Sequence, residues 1–272
     1  NTPLIKVSKT RGYGADVVLH GASFDDAVDE ACRIAEEEGR TLVPAFDDEA
    51  VIAGQGTIAL ELDEQMERID VVVVPVGGGG MISGIAIGLK SLRPDVRVIG
   101  VEAEAAPSAR ASLDAGRVVK IESTETIADG IAVKRVGDLT FPLIREYVDD
   151  VVVVTEEEIA SAILLLLERE KTVAEGAGAV PLAAVMKGRI DAEEDDVAVL
   201  ILSGGNIDVN QISRIIDRGL VSDGRLARLR VKVPDRPGSL AGLTRIVADL
   251  GANVMEIYHR RAFADISVGD VE

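Results

Sequence analysis

Residues 71–84, VVVVPVGGGGMISG, decide how the chain is read. The β-branched run is too short for a helix and too uniformly apolar for a half-exposed strand. It reads as a strand buried on both faces, the pattern of a parallel sheet. Four consecutive glycines follow, Gly77, Gly78, Gly79 and Gly80, and a helical pattern begins at Met81. Lacking Cβ atoms, these residues let the backbone turn sharply and leave several N–H groups pointing one way. At a helix N-terminus such donors form a nest for a phosphate dianion. One glycine there would be read as a tight turn without a ligand; four in a row favour the anion site.

Outward from this stretch, strands and helices alternate. A short strand is expected over 16–20, and a helix over 23–39 with Ser23 as cap and Gly39 as stop. Cys32 falls within that helix, where a small buried apolar role is expected. Asp47 is expected to start a helix reaching about Arg68, with Gly54 and Gly56 implying close backbone approach. Further strands are expected over 96–101, ending at Glu102, and over 151–154 and 197–202. Helices are expected over 107–115, 141–147, 156–170 (capped by Thr155), 178–186 and from Asn206 to Arg218. The class is therefore α/β, a doubly wound and mostly parallel sheet. Ligands in such sheets gather at the carboxyl ends of strands. Here those ends carry GGGG and, at 203–206, SGGN.

Beyond a linker at 219–225 the pattern changes. Residues 226–233 read as a half-exposed strand, Ser239 as cap of a helix over 240–250 stopped by Gly251, and 253–259 as a second strand. This is a separate small α+β module, giving domains 1–222 and 226–272.

Composition narrows the function. The chain has 272 residues, 47% of them apolar, and a net charge of −18, so it is globular. Residues 1–223 hold 21 basic against 41 acidic side chains, while 224–272 hold 8 against 6. An acidic body repels nucleic acid and anionic membranes, and neither is an expected partner. No apolar run approaches the roughly 20 residues of a membrane span. Cys32, the sole cysteine, excludes internal disulfides and cysteine-based zinc sites and suits a reducing cytoplasm. Only 8 of the 29 basic residues are lysine, a composition that points to adaptation to high salt.

Glu102, at the end of the strand after the glycine loop, stands where a dinucleotide site would place its ribose-binding acid. The spacing argues against that site, because Ser83 occupies the last glycine position of a G-x-G-x-x-G. No G-x-x-x-x-G-K-[ST] is present, and His20 and His259 lie in different modules, which leaves histidine-based catalysis and metal binding little support.

GGGGMISG, EGAGA (175–179), TIADG (126–130) and LSGGN (202–206), in this set, together with DDEAVIAGQGT (47–57) and TRGYGADVVLHG (10–21), resemble the threonine ammonia-lyase (threonine dehydratase) and serine racemase group of fold-type II pyridoxal-phosphate enzymes. The resemblance runs from the first residues to about Val221. It implies a tryptophan-synthase-β-like fold and pyridoxal 5′-phosphate as cofactor. Gly77, Gly78, Gly79, Gly80 and Met81 would hold its phosphate and Ser203 would face its pyridine nitrogen, with Glu175 and Asn206 supporting the ring's surroundings. A hydroxyl does not keep that nitrogen protonated, which favours expulsion of a β-substituent. In serine racemase relatives a divalent cation uses the acid corresponding to Glu102 and a second acid nearby; Ser108 stands in the second place, and no metal site is expected.

The family's Schiff-base lysine and its Ser-x-x-Asn-His loop match positions upstream of Asn1. No catalytic residue is therefore assigned within this chain, which reads as a piece lacking roughly a hundred residues and inactive by itself. The segment LRVKVPDRPGSLAGLTRIVADLGANVMEI is similar to an ACT domain, an amino-acid-sensing module that pairs across subunits, here cut short. The implied protein is a cytoplasmic homo-oligomer, dimer or tetramer, converting L-threonine to 2-oxobutanoate and ammonia by β-elimination, with an amino-acid effector at the ACT module. A serine-directed ammonia-lyase or racemase, or a non-catalytic ACT-paired amino-acid-binding protein, are the alternatives.

Overall fold

The computed structural model describes residues 4–21, 24–122, 125–258 and 270–271. They form two compact units, 1–223 and 224–272. The first is built on a parallel sheet of β1 (Val71–Pro75), β2 (Arg97–Ala103), β3 (Asp150–Val154) and β4 (Ala198–Leu200), in the order β3-β2-β1-β4. β1 sits inside the sheet, registered Val73↔Ile99 on one side and Val73↔Leu200 on the other.

The valine run is buried throughout because alternate side chains feed two different cores. Val71 and Val73 join Ile99 and Val101 in one core. It is completed by Ile159 and Ile163 of α7 (Glu156–Leu165), Val180 and Ala183 of α8 (Gly176–Met186), and Ile215 of α9 (Val209–Ser222). Val72 and Val74 join Val98 in the other. There they meet Ala59 of α3 (Glu49–Gln65), Ile82, Ile85 and Leu89 of α4 (Gly80–Leu92), and Phe141 and Ile144 of α6 (Thr140–Tyr147). Helices on both faces are what the doubly wound reading requires.

α3 and α4 touch backbone to backbone. A Cβ on Gly84 would lie 2.2 Å from the Ile52 carbonyl oxygen and 2.6 Å from the Gly56 nitrogen. The expected close approach at Gly56 is therefore present, at Gly84, whereas Gly54 meets nothing within 4 Å. α7 opens on a capping box: Thr155 Oγ1 accepts the Glu158 N–H and the Glu158 carboxylate accepts the Thr155 N–H. The helix runs on to Glu170 as expected, its last five residues, Leu166–Glu170, forming a π-helical turn closed by Lys171 at φ 57°.

Other expectations are corrected. Residues 16–20 are irregular and mostly exposed, not a strand, since a strand needs a ladder partner and they have none among the described residues. Cys32 is exposed on α2 (Phe24–Glu38), so it is not a core residue. The expected cap Ser23 lies outside the described residues. Residues 219–222 continue α9 instead of forming a linker, because Gly219 lets the helix lie close to the Ala160 carbonyl and Leu164.

In the second unit the helix is α10 (Ser239–Asp249), and Gly238, at φ 92°, holds the cap position assigned to Ser239. Among the described residues the expected strands are largely irregular: the ladder there is β5 (Val233–Pro234) with β6 (Asp270–Val271), and 253–258 is coil. His259 lies outside the described residues. Leu229, Leu250, Met255 and Tyr258 are exposed, so the described residues of this unit give its strand segments little apolar face to pack on.

Candidate functional site

β1 ends at Pro75 and α4 begins at Gly80, leaving Val76–Gly79 to make the turn. Gly79 adopts φ 95°, a conformation that side chains resist. The other glycines are enforced by neighbours. A Cβ on Gly78 would fall 2.2 Å from the Phe46 ring, one on Gly80 would lie 2.9 Å from Phe46 Cβ, and one on Gly77 3.1 Å from Ile131 Cα. Side chains thus pack the Cα side of the corner. Its amides are unspent: the N–H groups of Gly78, Gly79, Gly80 and Met81 donate to no protein acceptor among the described residues. Four free donors at the N-terminus of a thirteen-residue helix are the donor set a phosphate dianion requires.

The second glycine-rich turn lies beside the first, because β4 pairs with β1 and the ladder continues through the Ile201 N–H to the Val73 carbonyl, 3.0 Å. Ser203 follows two residues later and is exposed. The turn is clamped by Glu175. Its N–H donates to the Gly204 carbonyl (3.0 Å), and its carboxylate accepts the Asn206 N–H (3.1 Å) and fills the space where Gly204 lacks a side chain. Gly178 allows this packing, since a Cβ there would lie 2.8 Å from the Gly204 oxygen. TIADG joins the same cluster: Gly130 faces Ala177 and Glu175, and Ala128 is fully buried.

Glu102 is held differently. It is fully buried, and its two oxygens accept the Ala109 and Arg110 N–H groups (2.7 and 2.8 Å) at the start of α5 (Ser108–Ala115). Burial pushes its pKa up to about 7 against the pull of those donors. Ser108 Oγ, two residues from the amide that Glu102 also holds at Arg110, is buried without a hydrogen-bond partner. Among the described residues no group of three or more His, Cys, Asp or Glu side chains could hold a metal ion.

Around the glycine corner one residue, Asp47, has a different role from the one expected, and another, Thr140, is not singled out by the sequence. Asp47 does not start α3; Asp48 does, accepting the Ala50 and Val51 N–H groups (2.9 and 3.1 Å). Asp47 caps α6 instead, accepting the amides of Asp138, Leu139 and Thr140 (2.9, 2.9 and 3.3 Å). Thr140 donates its hydroxyl proton to the Gly78 carbonyl. The available signal was two adjacent capping residues, Asp47 and Asp48, for one apparent helix.

A family model described as pyridoxal-phosphate dependent enzyme matches residues 1–204, and an ACT domain model matches 227–270. The chain is 54% identical over 267 residues to the L-threonine ammonia-lyase of Thermotoga maritima, covering 98% of this chain and 66% of that protein. It is 50% identical over 272 residues to that of Geobacter sulfurreducens, covering 100% of this chain and 67% of that one. It thus spans about two thirds of the length of these relatives. Its fold is similar to the processed form of threonine deaminase isoform 2 from Solanum lycopersicum (TM-score 0.74, 38% identity, 80% of this chain and 64% of that one). It is also similar to serine racemase from Dictyostelium discoideum (TM-score 0.70, 40% identity, 77% and 67%). On the match over 1–204 and these identities, the chain belongs to the pyridoxal-phosphate dependent enzyme family.

Proposed function

We propose that the complete protein carrying this chain is an L-threonine ammonia-lyase, forming 2-oxobutanoate and ammonia by β-elimination with pyridoxal 5′-phosphate as cofactor. The observation that carries the reading is the row of unspent amides at the carboxyl end of β1, beside the SGGN turn at the end of β4. Gly77, Gly78, Gly79, Gly80 and Met81 would hold the cofactor's phosphate through main-chain donors, with the start of α4 adding its positive end. Ser203 would meet the pyridine nitrogen with a hydroxyl, which does not hold a proton there as a carboxylate would. When bound, the cofactor supplies the electron sink for the bond broken at the substrate's α-carbon. Glu175 holds the SGGN turn in register through the Gly204 carbonyl and the Asn206 N–H.

The names of the relatives support threonine as substrate. The serine racemase neighbour keeps a serine-directed activity as the second reading. We assign the acidic module 1–222 to catalysis and 226–272 to binding an amino-acid effector within a cytoplasmic homo-oligomer.

A dialysed preparation of the complete gene product tests this. A bound visible chromophore that changes on adding L-threonine, with release of ammonia and 2-oxobutanoate, is expected. A colourless protein that binds threonine without turnover would establish the non-catalytic alternative, and turnover of L-serine alone the serine-directed one.

A further inference from the structure

We infer that Thr140 is a positioning residue for the glycine corner: its hydroxyl and the Gly137 N–H hold the Gly78 carbonyl inward and so aim the Gly79 N–H at the anion. This rests on the phosphate reading of the corner.

The peptide between Gly78 and Gly79 is trans, so its carbonyl and N–H point in opposite directions. Whatever fixes the carbonyl therefore fixes the donor. The Gly78 oxygen accepts from Thr140 Oγ1 at 2.7 Å and from the Gly137 nitrogen at 3.1 Å. A threonine hydroxyl has one proton, and Thr140, fully buried, gives it to that oxygen. The N–H on the far side of the same peptide donates to nothing among the described residues.

Thr140 is in turn fixed from three directions. Its N–H reaches Asp47 (3.3 Å), its carbonyl accepts Ser83 Oγ (3.4 Å), and its Oγ1 shares the one Gly137 N–H, which forks between it (3.0 Å) and the Gly78 carbonyl. Gly79 permits the close approach, since a Cβ there would lie 2.8 Å from Thr140 Oγ1. Gly137 permits the clamp behind it, since a Cβ there would lie 2.0 Å from Asp47 Oδ1. Without the inward hold a glycine peptide rotates freely, and the nest loses one donor by disorder of its plane.

The test uses the complete gene product labelled with ¹⁵N-glycine, freed of cofactor as its oxime with hydroxylamine and gel filtration, and titrated with inorganic phosphate. In the unsubstituted protein the Gly79 amide resonance is expected to move together with that of Gly80. Thr140→Val should bind phosphate about tenfold more weakly, the loss of one well-placed hydrogen bond, and Thr140→Ser should restore it. Movement of Gly80 while Gly79 stays still would overturn the inference and leave the phosphate reading intact. So would phosphate binding by a folded Thr140→Val as tight as that of the parent. If no glycine amide responds, the phosphate reading fails and the inference with it.

Discussion

Burial sets Glu102 apart from the exposed carboxylates that dominate this chain. A carboxyl group whose pKa is raised on folding, from 4.5 to about 7, binds its proton more tightly in the folded state. Its contribution to stability is full below about pH 4.5 and is lost as pH rises to about 7. The size of that loss is on the order of 3 kcal/mol, from roughly 1.4 kcal/mol per unit. Glu102→Gln cannot ionise, so urea midpoints measured from pH 4.5 to 8 should fall for the parent relative to the variant, with the difference levelling off above about pH 7. Parallel curves would show that Glu102 stays charged when buried. Ser108, next to it, buries a hydroxyl with no partner. Leaving such a group unsatisfied costs on the order of 1 kcal/mol, so Ser108→Ala should melt at the same temperature as the parent or higher. A drop of several degrees would mean the hydroxyl is bonded after all.

Between elements, the sharpest constraint is the α3–α4 contact. Any side chain at Gly84 would collide with the backbone of α3 at Ile52 and Gly56, neither of which can turn aside. Gly84→Ala is expected to cost at least about 2 kcal/mol by overpacking, read as a shifted urea midpoint. Gly54→Ala should be neutral or slightly stabilising by helix propensity, since Gly54 faces nothing. The sequence showed that glycines in α3 meant a close approach, but not which one, because period alone does not say which face meets α4. The same divide runs through the rest of the fold. β1, its glycine turn and α4 were legible because a buried valine run allows only one environment. Residues 16–20 and 253–258 looked like strands by composition, yet strand formation depends on a partner that local sequence does not name. The corner's donors were visible as glycines. Thr140 was not, because its role depends on α6 packing against α4 from some sixty residues away in the chain.

Over the whole molecule, charge is the term that sets the response to solvent. Residues 1–223 carry a surplus of 20 acidic groups, and the ion pairs that offset them are mostly made by arginine, as at Arg93–Asp63, Arg97–Asp196 and Arg218–Glu157. Salt acts on these two terms in opposite directions. Such half-buried or exposed pairs are in contact and contribute on the order of 1 kcal/mol or less each, so screening takes little from them. Repulsion among the surplus carboxylates acts over longer distances, and it collapses as the Debye length shrinks from about 10 Å at 0.1 M to about 3 Å at 1 M. The second effect outweighs the first, so the melting temperature should climb steeply between 0.1 and 2 M KCl and nearly as steeply in NaCl. Because screening needs ions, an equal osmolality of sucrose should reproduce only a small part of the rise. A melting temperature that ignores KCl would mean the surplus charge is already dispersed enough to be harmless, and the reading of the lysine-poor, acidic surface as an adaptation to high salt would be wrong.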